Sequence, residues 1–238
     1  MFLPFKDVFK EEPLTSAKNF LADKKINIPL PDNVVVLPFL NFSKELSAVS
    51  KKTYKLIGDI EIINDKTAVV HNFGLGAPAI VFMAEFLAAL GAKRLIIAGS
   101  CGAISDKLSP GDKVICSGAY CGEGSSAYYC GQDYIEPFTD LPLSCLGIEH
   151  KFPAWTTDAL FKETPSLLKY FNEKGCGLVE MEAAALFAFA KNKNLQSGAV
   201  FVVSDSLYGG EWKLPLQMPQ VRKAIFEITL SLIKIIGN

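Results

Sequence analysis

The chain has 238 residues, half of them hydrophobic, and a formal net charge of −1. That composition argues against intrinsic disorder, and the lack of any Lys/Arg block argues against a nucleic-acid partner. Six cysteines without zinc-knuckle spacing and two histidines, His71 and His150, give no metal-site pattern and fit reduced thiols in a cytoplasm.

The opening "MFLPFKDVFKEEP" lacks the charged-then-apolar order of a signal peptide. Residues 1–32 are mixed and punctuated by proline, and the pattern assigns them no element. "NVVVLPF" (33–39) reads as a buried strand. Residues 55–65 and 66–73 read as two more, paired as a hairpin closing at Asn64–Asp65. A glycine-rich turn follows. Then comes an apolar helix with Pro78 near its start and Gly91 at its end. Its run "AIVFMAEFLAALGA" is interrupted by Glu85 and is too short to span a bilayer, so no membrane association is expected.

"KRLIIAGSCGAI" (93–104) reads as a strand running into a glycine turn, and 111–121 as another strand followed by a loop. Residues 164–174 read as helix, 176–180 as a short strand, 181–193 as helix and 197–207 as strand. An amphipathic helix runs from about Pro219 to Ile236. Strands alternating with helices predict a single α/β domain over 1–238. Its form is a three-layer sandwich with a central mixed, largely parallel twisted sheet flanked by helices. In such sheets ligands bind beyond the carboxyl ends of the strands. Gly74–Gly76, Ser100–Gly102, Glu180–Glu182 and Ser204–Asp205 all fall at such ends.

Each cluster has a plain and a functional reading. "FGLGAP" is a tight turn, or a place for close ligand approach beside helical N–H groups that attract anions. In "AGSCGAI", Ser100 and the backbone amides suit an anion or a hydroxyl, while Cys101 reads as a buried, inert thiol. One glutamate of "VEMEA" is explained by complementing a helix dipole. Two are explained less well. Extended backbone would put Glu180 and Glu182 on one side, where paired carboxylates accept both hydrogen bonds of a vicinal diol. Asp205 in "VFVVSDSL" is either a helix cap or a general acid in a partly dry cleft.

These segments, "HNFGLGAPAIVFMAEFLAALGAKRLIIAGSCGAI", "GDKVICSGAYCGEG", "GLVEMEAAALFAFA" and "VFVVSDS", stand in the order and approximate spacing of the nucleoside phosphorylase family. That family includes purine nucleoside phosphorylases, uridine phosphorylases and methylthioadenosine nucleosidases. The resemblance covers roughly residues 34–236. It implies cleavage of a nucleoside N-glycosidic bond, with phosphate as co-substrate, no other cofactor and no metal. It also implies a homo-oligomer: a dimer, trimer or hexamer.

By resemblance, Glu182 grips the ribose hydroxyls, with Met181 packed on the sugar and Glu180 assisting. Ser100 lines the sugar and nucleophile side, and Gly76 lies near the anion. Phe161 stacks on the base, beside Cys101 and Gly102. Asp205 protonates or hydrogen-bonds N7 of the leaving base, assisted by Arg222. The uridine-specific Gln-x-Arg pair is absent, and Asp205 points to a purine.

The chain departs from the phosphorylases at the phosphate. It holds only two arginines, Arg94 and Arg222. "LPFLNFSKEL" replaces the glycine–arginine phosphate loop, Ile97 stands where an arginine precedes the GSCG turn, and a neighbour-supplied arginine falls near Tyr54. Phosphorolysis, hydrolysis by water and binding without turnover therefore stay open, with phosphorolysis preferred.

Overall fold

A computed structural model describes residues 13–141, 143–213 and 216–237. The reading of the opening segment falls mostly on residues 1–12, outside them. Ten strands join one sheet among the described residues: β1 (Asn33–Leu37), β2 (Lys52–Lys55), β3 (Asp59–Ile62), β4 (Thr67–His71), β5 (Arg94–Ala103), β6 (Lys113–Gly122), β7 (Tyr134–Ile135), β8 (His150–Thr157), β9 (Leu178–Glu180) and β10 (Gln196–Ser206). The helices are α1 (Ala17–Asp23), α2 (Ser43–Leu46), α3 (Ala77–Ala89), α4 (Pro165–Glu173), α5 (Ala183–Lys193) and α6 (Met218–Gly237).

The strands alternate their side chains between two cores, as a pleat requires. Val34 and Val36 of β1 face α3 and α5, while Val35 and Leu37 face α6. Helices on both faces explain why β1, β4 and β5 are apolar almost throughout. α5 is buried over its whole Ala183–Ala190 stretch, which is why its sequence shows no polar stripe. A third cluster of Ile104, Trp155, Phe171, Cys176 and Val179 lies under α4.

The expected sandwich and the Asn64–Asp65 hairpin are found, and the mixed sheet is largely parallel, because its longest ladders, β5–β10 and β6–β8, are parallel. Its pairings divide into five parallel and five antiparallel. The antiparallel pairings are all short: the β2–β3–β4 meander, β7 on β6, and β6 and β9 against their neighbours β10 and β5. Moreover, β10 pairs with both β5 and β6, so β5, β10, β6, β8 and β9 close into a ring.

β8 has no counterpart in the sequence reading because Pro153 sits inside it. In the structure Pro153 lies where the β6–β8 register shifts, between Cys116 and Ala119 of β6, so no ladder N–H is asked of it, while its carbonyl accepts from Gly177 N–H at 3.0 Å.

Candidate active site

Several strand ends of the ring open onto a cleft of about 310 Å³. It is lined by Ala98 to Gly102 of β5, Val179 to Glu182, Ser204, Asp205 and Leu207, with the 38–42 loop, Leu160, Glu163 and Trp212 at its walls. The sequence clusters therefore converge, as strand ends in such sheets should.

Glu180 and Glu182 both reach the cleft but have different tasks. Glu180 ends β9. Its Oε2 accepts from the N–H groups of Glu182 (2.8 Å) and Ala183 (2.7 Å), and its Oε1 accepts from the Thr156 hydroxyl. Thr156 Oγ1 in turn accepts from Ala184 N–H at 3.0 Å. Glu180 thus places an acceptor at the start of α5, satisfying donors that a helix leaves unpaired.

Glu182 is the N-cap residue of α5. Gly76 N–H donates to its Oε1 at 2.7 Å, and its carboxyl lines the cleft. Burial drives both carboxyls upward in pKa. For Glu180 the neighbouring Glu182 charge adds to this, and hydrogen bonds to the ionised forms oppose it.

Gly76 precedes α3 with φ +89°, a conformation that favours glycine, and a side chain there would approach Met181. Its amide is committed to Glu182, and Gly76 is not part of the cleft wall. The anion contact expected of it is therefore not what this geometry provides.

Asp205 is aimed by a β-bulge. β10 pairs Val203 with Cys101 and Asp205 with Gly102, which leaves Ser204 as the extra residue. The Ser204 hydroxyl lies 3.1 Å from the Cys101 carbonyl and 2.5 Å from Asp205 Oδ1. Trp212 Nε1–H donates to Asp205 Oδ2 at 2.8 Å. Gly102 makes room for this arrangement. A Cβ there would come within 2.8 Å of Leu207, 3.1 Å of Val179 and 3.4 Å of Asp205. Ser100 is exposed to the cleft, whereas Cys101 is buried. Burial, with the Glu180 and Asp205 charges, pushes the Cys101 thiol well above its ordinary pKa and keeps it unreactive.

Two expected residues stand elsewhere. Phe161 is 82% exposed and outside the cleft wall, its ring edge-on to Trp212 at 6.4 Å. The kinked turn Leu160–Lys162 sends Leu160 and Glu163 inward in its place.

Arg222 does not assist Asp205. It forks onto Glu45 at 2.5 and 2.8 Å, donates to the Asn41 carbonyl, and lies over the Phe42 ring. The guanidinium holds the Glu45 carboxyl below its ordinary pKa. Arg222 thereby fastens α6 to α2 and to the 38–42 loop. Arg222→Ala is expected to lower stability by about 1 kcal/mol, because the pair is partly exposed. It should also raise KM more than it lowers kcat, with the pH–rate profile unmoved; a thermal melt and steady-state kinetics check both.

Among the cleft residues not singled out from the sequence are Phe39, Glu163 and Trp212. Phe39 has φ +67°, strained for a bulky residue, and its N–H bonds Gly74 at 2.7 Å. Among the described residues no lysine or arginine lines the cleft, whereas four carboxyls do: Glu163, Glu180, Glu182 and Asp205. The other arginine, Arg94, is bound to Asp140, Asn33 and Gln196 at the start of β5. Among the described residues there is no group of three or more His, Cys, Asp or Glu placed to hold a metal ion, and no helix long and apolar enough to cross a membrane.

The chain is similar to a guanosine phosphorylase from Halorubrum lacusprofundi, 30% identical over 148 residues that span 59% of this chain and 61% of that protein. It is also similar to a DeoD-type purine nucleoside phosphorylase from Hahella chejuensis, 28% identical over 168 residues, 66% of this chain and 71% of that protein. A crystal structure of purine nucleoside phosphorylase from Toxoplasma gondii in complex with immucillin-H shares the fold. It superposes with a TM-score of 0.69 at 20% identity, covering 85% of this chain and 90% of that one. Residues 44–234 match the family model of the phosphorylase superfamily, and with the converging glutamates, glycine turn and Asp205 they establish that the chain belongs to this superfamily.

Proposed function

We propose that this chain cleaves the N-glycosidic bond of a purine nucleoside by phosphorolysis, giving the free base and ribose 1-phosphate. The observation that carries the reading is one cleft holding both a buried carboxyl, Glu182, and a hydrogen-bonded carboxyl, Asp205. Glu182 accepts from the 2′ and 3′ hydroxyls, with Met181 against the sugar. As the C1′–N9 bond breaks, its electron pair moves to the base and Asp205 delivers a proton to N7. A phosphate oxygen bonds to C1′ from the side lined by Ser100. The carboxyl groups favour the positive charge that builds on the sugar, and the acid offsets the negative charge on the base. The names borne by the Halorubrum and Hahella relatives support phosphate as the nucleophile.

A second reading, hydrolysis, is favoured by the cleft wall itself, which carries four carboxyls and no basic side chain among the described residues. Neutral water meets less repulsion there than phosphate does. We further read the protein as a cytoplasmic homo-oligomer that needs no organic cofactor. The six free cysteines support the compartment, and the exposed Phe20 and Phe82 support association between copies.

Turnover of guanosine, inosine and adenosine with and without phosphate, with the sugar product identified, separates the two readings. The expected result is ribose 1-phosphate, formed only when phosphate is present. Free ribose at an unchanged rate without phosphate overturns phosphorolysis in favour of water.

A further inference from the structure

We infer that His71 is a proton-sensitive latch on the cleft wall: in its neutral form it holds the 38–42 segment closed, and protonation releases that segment. This goes beyond the proposed reaction and holds whichever base or nucleophile the cleft takes.

His71 ends β4 and is fully buried. Its Nδ1 accepts a hydrogen bond from Phe42 N–H at 3.3 Å. Phe42 is buried as well and lines the cleft with Pro38, Phe39 and Leu40. Two backbone bonds lay the same segment against the end of β4. Asn72 N–H donates to the Leu40 carbonyl at 3.2 Å, and Phe39 N–H to the Gly74 carbonyl at 2.7 Å. Of these three ties, only the one through His71 can be broken by a proton.

A ring nitrogen that accepts carries no hydrogen, so neutral His71 has its proton on Nε2. Nε2 faces Glu61 Oε1 at 3.6 Å, too far for a hydrogen bond, and has no hydrogen-bond partner among the described residues. The charged groups around the ring are Asp59 and Glu61 of β3 and Lys55 of β2. Lys55 is paired with Asp59, and the second oxygen of Glu61 accepts from the Ser50 and Thr53 hydroxyls.

Protonation changes both sides of the ring. Nδ1 becomes a donor and meets Phe42 N–H donor to donor, while Nε2–H is drawn to the Glu61 carboxylate. In the closed form burial holds the His71 pKa below its ordinary value, against the pull of the Asp59 and Glu61 charges. Once the segment lifts, water reaches the ring and the proton binds near the ordinary value. The open form therefore binds the proton more readily. Closure is most stable above the ordinary histidine pKa and weakens as pH falls below it.

The test is hydrogen–deuterium exchange at the Phe42 amide, corrected for the intrinsic pH dependence of exchange, in the wild type and in His71→Asn. Asparagine keeps an oxygen near the place of Nδ1 and does not titrate. Between about pH 7.5 and about pH 5.5, wild-type protection is expected to fall about tenfold, the ratio for a group neutral when closed and titrating at its ordinary value when open. The amides of Val200 and Val202 in β10 should keep their protection, which separates local opening from global unfolding. In the variant, Phe42 protection should vary by less than about twofold over the same range. Glu182, pushed up to about 7 by burial, titrates in this window too and is retained in the variant. A variant as pH-sensitive as the wild type would therefore overturn the latch, and so would wild-type protection that does not change with pH.

If His71→Asn does not fold, nuclear magnetic resonance of the wild type labelled with ¹⁵N-histidine decides. The chain has two histidines, and His150→Asn leaves His71 as the single signal. Nδ1 should be bare at about pH 7.5 and gain its proton in step with the loss of Phe42 protection. A proton on Nδ1 at neutral pH, or protection lost without one, would refute the inference.

Discussion

Glu182→Gln is expected to lower kcat/KM for purine nucleosides by about 10²–10⁴-fold while the protein melts at the same or a higher temperature. The kinetic magnitude follows from two charge-assisted hydrogen bonds to the ribose diol, each contributing about 1.5–3 kcal/mol. The stability half follows from burial. The folded state raises the Glu182 pKa above its ordinary value, so the native protein holds a proton that the unfolded chain releases. Stability then falls as pH rises out of the ordinary carboxylate range, and a neutral amide removes that loss. Glutamine still offers an oxygen to Gly76 N–H, so the 2.7 Å tie can persist. A 2′,3′-dideoxynucleoside is the control: already poor for the wild type, it should lose little more in the variant. Full turnover of inosine by Glu182→Gln would remove Glu182 from the sugar site.

Asp205→Asn should cost about 10²–10⁴ in kcat on guanosine and inosine, the range of a lost general acid. Asparagine keeps an oxygen for the Trp212 indole, and the bulge at Ser204 is a backbone feature, so the side chain keeps its place. What disappears is the proton for N7. A 7-methylated purine nucleoside carries its positive charge in advance and does not need that proton. It should be cleaved by the variant at close to the wild-type rate. Equal losses on both substrates would instead make Asp205 a structural residue of the bulge.

The sequence carried the parts of the site that lie on strands. Ser100–Gly102, Glu180–Glu182 and Asp205 fall where an apolar run stops, and regular strands bring such ends together. It did not carry the parts that depend on loop closure. Glu163 reads as an ordinary charge before Thr164 and Pro165, and only the kinked Leu160–Lys162 turn points it inward. Trp212 gives no periodic signal, yet it supplies the donor that the resemblance assigned to Arg222. Arg222 sits on α6, where the fork of Glu45 and the Asn41 carbonyl offer it better partners. The ring of strands was equally hidden, since β8, which links β6 to β9, contains a proline and was not read as a strand.

That three-residue strand has a consequence for how the protein reaches its working form. β9 bridges β5 and β8 and ends in Glu180, and the Gly76–Glu182 bond joins residues 106 positions apart. No hairpin or helix formed early contains these pairings, so loop entropy must be spent before they contribute anything. The cleft is thus a late product of folding. A newly made chain can hold α3 and the β2–β3–β4 meander well before it can hold a ribose, and catalytic competence should trail recovery of helical signal during refolding.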